Sequence, residues 1–163
     1  MNIVTTRFGE IDIDESKIID MRGGILGFEH LKKYVLHMHD QKNPFSWFQS
    51  IDDGGIAFAV VNPFVAKTDY EPEISDYDTR LLEIENAADV VLMGIVTVHQ
   101  YPTSVSVNLR APIVINAKKK IAKQIVLEDA TYPVQYYLTT ASGEVSSAER
   151  EGEKKNDCEA ATS

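Results

Sequence analysis

Phe45-Ser46-Trp47-Phe48-Gln49-Ser50-Ile51-Asp52-Asp53-Gly54-Gly55-Ile56-Ala57-Phe58-Ala59-Val60-Val61 reads as two extended runs joined by a tight turn. Aromatic and β-branched side chains suit a pleated, half-buried surface, and Asp-Asp-Gly-Gly is hairpin chemistry. Gly54 and Gly55 are expected to supply the positive φ angles of a short turn. Outward from this hairpin the pattern repeats. Glu10-Ile11-Asp12-Ile13-Asp14 alternates polar and apolar residues, as a half-buried strand should. Residues 33–39 alternate too, with Tyr34, Leu36 and Met38 on one face and Val35, His37 and His39 on the other. Runs 90–98, 104–110, 113–117 and 123–128 are short and mostly rich in Val and Ile. Most of the links are brief and polar, which argues for an all-β antiparallel barrel or sandwich rather than βαβ units. Two short helices complete the expectation. One is a turn at 28–32, after the glycines of 23–27. The other is 76–84, capped by Ser75, with Asp76 and Asp78 in the first turn and an apolar stripe of Leu81, Leu82 and Ile84.

The chain has 163 residues, 44% of them hydrophobic, and a formal net charge of −9. That is enough chain for one domain with a real core. Residues 143–163 contain a single large aliphatic side chain, Val145, so they bury too little to offset the entropy of ordering. The expected organisation is a folded domain over 1–142 followed by a disordered acidic tail. One cysteine, Cys158, excludes an internal disulfide and a cysteine-based zinc cluster. The longest apolar run, 90–98, falls well short of the roughly 20 residues of a membrane-spanning helix, and the N-terminus does not read as a signal peptide. The expectation is a reduced, cytoplasmic protein with no membrane partner.

Few residues carry a recognisable chemistry. His37 and His39 share a strand face, a spacing that needs a third ligand to hold a metal, so no metal site is assigned. There is no Gly-x-Ser-x-Gly elbow, and the glycines of 23–27 have the wrong spacing for a phosphate loop. Cys158 lies in the tail with no basic pocket to activate it. Lys118, Lys119, Lys120 and Lys123 form a basic run of the right sign for RNA, without the interleaved aromatics that stack bases. A direct RNA-binding barrel using these lysines is the second reading; an enzyme using acids of 69–89 is the third.

The acidic stretch is more telling. Between residues 69 and 89 stand eight acids against Arg80 alone, a local charge of −7. In an extended Asp69-Tyr70-Glu71-Pro72-Glu73 the three acids share one side and Tyr70 points away. Composition alone leaves this stretch open between a solvated loop and a docking surface for a basic partner.

The sequence resembles the flagellar assembly factor FliW family from about residue 6 to 133, in ordered motifs. These are Thr6-Arg7-Phe8-Gly9-Glu10-Ile11, Gly24-Ile25-Leu26-Gly27-Phe28-Glu29, Gln49-Ser50-Ile51-Asp52, Asn62-Pro63-Phe64 and Asp69-Tyr70-Glu71-Pro72-Glu73-Ile74. Val96-Thr97-Val98, Val107-Asn108-Leu109-Arg110-Ala111-Pro112-Ile113-Val114-Ile115-Asn116 and Lys123-Gln124-Ile125-Val126-Leu127 follow. The chain departs from the family at Ile25-Leu26-Gly27-Phe28, which lacks the usual proline, and at Ala66-Lys67-Thr68. The resemblance implies a small β-barrel-like domain, not an enzyme and without cofactor or small-molecule substrate. It implies binding to the RNA-binding translational repressor CsrA and to flagellin, in a partner switch that relieves repression of flagellin mRNA without competing for the RNA groove. Asp69, Tyr70, Glu71 and Glu73 are then expected on the CsrA-facing surface, with Tyr70 as the aromatic anchor. Asn108, Pro112 and Asn116 are expected to serve turns and backbone hydrogen bonds.

Overall fold

The computed structural model describes residues 1–37, 45–100, 103–129 and 131–138. His39, Cys158 and the tail 143–163 lie outside them. The strands are β1 (Asn2–Thr5), β2 (Gly9–Asp12), β3 (Ile19–Met21), β4 (Lys33–His37), β5 (Phe45–Ser50), β6 (Ala57–Val61), β7 (Val90–Gln100), β8 (Thr103–Val107), β9 (Ile113–Asn116), β10 (Ile121–Gln124) and β11 (Tyr136–Tyr137). Two short helices, α1 (Pro63–Ala66) and α2 (Asp76–Leu81), sit between β6 and β7.

Seven strands close on themselves in the order β3-β4-β5-β6-β7-β9-β10 and back to β3. Closure leaves the barrel wall without a free edge along its paired length. The wall is antiparallel except at one seam, where β10 runs parallel to β3. The long β7 makes the closure possible by changing partner along its length. Its start pairs with β9, Gly94 and Ile95 pair with β6, and Val96 onward pairs with β8. Gly94 stands at the branch, where an added Cβ would lie 2.5 Å from Val107 Cγ1. β8 and β11 therefore splay off as an outer flap.

Two apolar clusters follow from this geometry. Tyr34, Phe48, Phe58, Ile113 and Ile115 belong to one, with Tyr34 and Phe48 stacked at 4.5 Å. Ala59, Val61, Val114, Ile125 and Leu127 belong to the other, together with Tyr70, Leu82 and Leu109. β6 and β9 contribute to both, because successive residues of a strand point to opposite faces.

Several sequence expectations are corrected. No helix forms at 28–32; Phe28 and Leu31 donate to Ile25 and Phe28 carbonyls in successive turns. The second helix stops at Leu81, because Glu83 adopts a left-handed φ of 54°. Its N–H donates to Arg80 and that of Ile84 to Thr79, the hydrogen-bond pair that terminates a helix. The unforeseen α1 has its own signal, Asn62 capping Phe64 N–H with Pro63 at the first helical position. Gly54 and Gly55 do not have positive φ; among the described residues those glycines are Gly9, Gly23, Gly24 and Gly27. Gly54 is needed for close approach instead: a Cβ there would lie 2.0 Å from Val4 carbonyl oxygen, and Gly54 accepts from Thr6 N–H. Gly54→Ala should push the β1–β2 hairpin off the barrel and lower stability by about 2 kcal/mol, measured by urea unfolding. Gly55→Ala, whose added Cβ meets only side-chain oxygens at 3.3 Å or more, should cost less than half of that.

Tyr34 sets an alkaline limit. It is fully buried, and its hydroxyl has no hydrogen-bond partner. Burial, with the Asp52 charge second, pushes its pKa from 10 up to about 12. The unfolded chain therefore releases this proton before the folded one does. The Tyr34 contribution should hold up to about pH 10 and be lost between pH 10 and 12, with the buried Tyr70, also raised, adding to the fall, read as the drop in urea midpoint across that window.

Candidate functional site

The residues between α1 and the end of α2 form a cover over the outer face of the barrel. Ser75 fixes the start of α2 by accepting from Asp78 N–H at 3.1 Å. Asp78 in turn binds Lys123 of β10 at 2.6 Å, pinning α2 to the wall. At the other end of α2, Asn116 donates to the carbonyls of Leu82 and Glu83 at 2.8 and 3.0 Å. Its Oδ1 accepts from Lys118 and Lys119 N–H.

Between this cover and residues 125–129 runs a groove of about 780 Å³. Its carboxylates are Glu71, Glu73, Asp76, Asp78, Glu128 and Asp129, and no Lys, Arg or His is among the lining residues. Ile74, Ile125 and Leu127 add apolar surface. Hydrogen bonds from Thr131 hold the Asp129 carboxyl below the usual carboxylate range. A concave surface with this lining attracts cationic groups and offers them apolar contact. Among the described residues no group of three or more His, Cys, Asp or Glu is arranged to hold a metal ion.

The structure divides the four residues expected on the partner-facing surface. Glu71 and Glu73 line the groove and are exposed. Asp69 lies outside the lining, 2.9 Å from Lys67, whose hydrogen bond and charge hold its carboxyl low. Tyr70 is corrected. Its side chain does point away from the acids, but into the core: it is 1% exposed, and its hydroxyl donates to Leu109 carbonyl at 2.6 Å. A ring held this way offers a partner no surface. Asn108 accepts from Arg110 and Ala111 N–H in the turn after β8, and Pro112 is buried. Glu128, Asp129 and Tyr132 were missed. They reach the groove because Ile125 and Leu127 N–H, bonded to Pro112 and Arg110 carbonyls, carry the chain on beyond β10, and Tyr132 N–H then bonds back to the Asp129 carbonyl; nothing local in the sequence places them beside residue 73.

The lysine run forms the β9–β10 turn. Lys119 lies 3.7 Å from Glu83, Lys123 binds Asp78, and Lys120 Nζ donates to the Ala117 carbonyl. Two of the four lysines of the expected basic patch are thus matched by acids of the 69–89 stretch. His37 of β4 packs its ring 4.4 Å from that of Phe8. Among the described residues no helix is long and apolar enough to cross a membrane.

The fold and the groove define a small acidic β-barrel domain with a carboxylate-lined cleft on its surface. The family model described as FliW protein matches residues 2–138. The chain is 57% identical over 136 residues to the flagellar assembly factor FliW of Syntrophus aciditrophicus, covering 83% of this chain and 86% of that one. It is 43% identical over 138 residues to the FliW of Caldicellulosiruptor saccharolyticus, covering 84% and 90% respectively. A crystal structure of the flagellar assembly factor FliW superposes with a TM-score of 0.78 at 32% identity, covering 86% of this chain and 98% of that one. The chain belongs to the FliW family of flagellar assembly factors.

Proposed function

We propose that this protein is a non-catalytic cytoplasmic antagonist that binds a CsrA-type translational repressor through the face carrying Glu71 and Glu73. The observation that carries the reading is the groove lined by six carboxylates, of which Asp78 alone forms a salt bridge among the described residues, to Lys123. A protein that binds RNA presents basic surface, so an acidic partner is steered toward it and repelled from RNA. The family resemblance supplies the repressor and flagellin as partners. In this reading flagellin that accumulates takes up the factor, and the freed repressor shuts down synthesis of flagellin from its mRNA. The repressor is held outside its RNA groove, so RNA and the factor do not compete for one surface.

Charge reversal tests this. Glu71→Lys combined with Glu73→Lys, both at exposed positions, should weaken repressor binding about tenfold, equivalent to ~1.4 kcal/mol. The salt dependence of the remaining affinity should flatten. Calorimetric titration of purified repressor at two ionic strengths gives both quantities. Unchanged affinity removes the assignment.

A further inference from the structure

We infer that the acidic groove takes an extended basic segment of a partner chain, which adds as a strand to an open edge at residues 126–128. The inference rests on the reading of the groove as a site for a basic partner, and it specifies how the partner is held.

The hydrogen bonds along β10 show the edge. On one side, Lys120 and Ala122 carbonyls accept from Asp20 and Arg22 N–H, which is the seam with β3. On the other side, Ile125 and Leu127 N–H donate to Pro112 and Arg110 carbonyls at 3.0 and 2.7 Å. Residues 125–128 thus continue the strand, with odd-numbered residues bonded toward 110–112. Alternation turns the N–H groups of Val126 and Glu128 the opposite way, to the side that β3 occupies further back. The chain leaves β3 at Gly23 and Gly24, both with positive φ, so its cover ends there. Gln124 Oε1 accepts from Leu26 N–H at 2.9 Å. Beyond it, no hydrogen bond among the described residues uses the N–H of Val126 or Glu128.

Open strand edges are usually blunted by lysine, proline or a bulge. This one carries no lysine, proline or bulge, and its one charge over 126–128, Glu128, is negative. Val126 is 56% exposed and apolar, flanked by the buried Ile125 and Leu127. The charges along the edge are all negative: Glu128 and Asp129 on the near bank, Glu71, Glu73 and Asp76 across the groove. Such an edge repels a second copy of this chain, whose net charge is −9. It accepts a strand that alternates lysine or arginine with apolar residues, where main-chain bonds give affinity and alternate side chains give selectivity.

The test uses the full-length, ¹⁵N-labelled protein and a capped peptide, Lys-Val-Lys-Val-Lys-Val-Lys, in three forms. One is unmodified, and two are N-methylated on alternate amides, each blocking one edge of the peptide strand while keeping its charge. At 20 mM salt the unmodified peptide should bind and slow hydrogen exchange at Val126 and Glu128. One methylated form should lose at least tenfold in affinity and the other should bind as the parent does. Equal binding by all three forms, slowed amides elsewhere in the chain, or no binding overturns strand addition. The purified repressor separates this proposal from the reading it rests on. Repressor binding that leaves exchange at Val126 and Glu128 unchanged overturns strand addition and leaves the acidic-face reading standing. Failure of the repressor to bind, with the peptide pattern as expected, overturns the repressor assignment and supports the open edge as a site for another basic chain.

Discussion

Asn116→Asp should lower the unfolding free energy by about 3–5 kcal/mol, although it exchanges one nitrogen for one oxygen. The native amide is 2% exposed. It uses all its capacity, donating to Leu82 and Glu83 carbonyls and accepting from Lys118 and Lys119 N–H. Aspartate keeps the two accepted bonds. It loses both donors and sets a buried negative charge against two carbonyl oxygens at the C-terminal end of α2, where the helix dipole is also negative. Glu83 adds to the effect, because its left-handed backbone at φ 54° is held in part by this amide. Native domains have about 5–15 kcal/mol in hand, so the variant should unfold at a markedly lower urea midpoint. The deficit should shrink as pH falls and the new carboxyl takes up a proton, since the acid form can donate to one of the two carbonyls. A variant with wild-type stability at neutral pH would show that α2 docks without this residue.

The same residue shows what was legible in the sequence. A polar side chain at the end of a Val-Ile run, before lysines, is a turn residue by local chemistry, and Asn116 is one. Its bonds to Leu82 and Glu83 span more than thirty positions, and no local pattern reports them. The β5–β6 hairpin was equally readable, because period-two alternation and turn residues are local signals. The reason for its glycine was not: Gly54 answers to Val4 on another hairpin. The parallel seam of β3 with β10 was invisible for the same cause. Of the candidate site, Glu71 and Glu73 were expected from charge density together with the family motif Asp69-Tyr70-Glu71-Pro72-Glu73-Ile74. Glu128 and Asp129 were missed because the groove's second bank comes from a strand continuation fifty residues later. Tyr70 was placed on the correct side of its segment and given the wrong surroundings. Alternation says that a side chain faces away from its neighbours and does not say what it meets.

Tyr70→Ala should therefore cost about 3–5 kcal/mol of stability and leave repressor affinity per folded molecule unchanged. The ring packs edge-on to Tyr132 at 4.8 Å and to Phe64 at 6.0 Å, and burial raises the phenol pKa well above its ordinary value. Truncation opens a cavity beneath the cover and removes the partner of Leu109 carbonyl. Tyr70→Phe isolates the second of these losses and should cost about 1–2 kcal/mol, the hydroxyl's bond without the ring's packing. A surface anchor would behave in the opposite way. It would tolerate alanine with little change in stability and lose one or two decades of affinity. Urea unfolding and repressor titration on the same two variants separate these cases, because a core residue moves the first measurement and an anchor moves the second. The distinction also bears on Glu71, whose N–H donates to Tyr132 hydroxyl at 3.0 Å. Tyr70 supports Tyr132, and Tyr132 holds the start of the acidic bank in place. Loss of the Tyr70 ring removes none of the residues that line the groove, so any fall in affinity should accompany unfolding and disappear when titrations are normalised to the folded fraction.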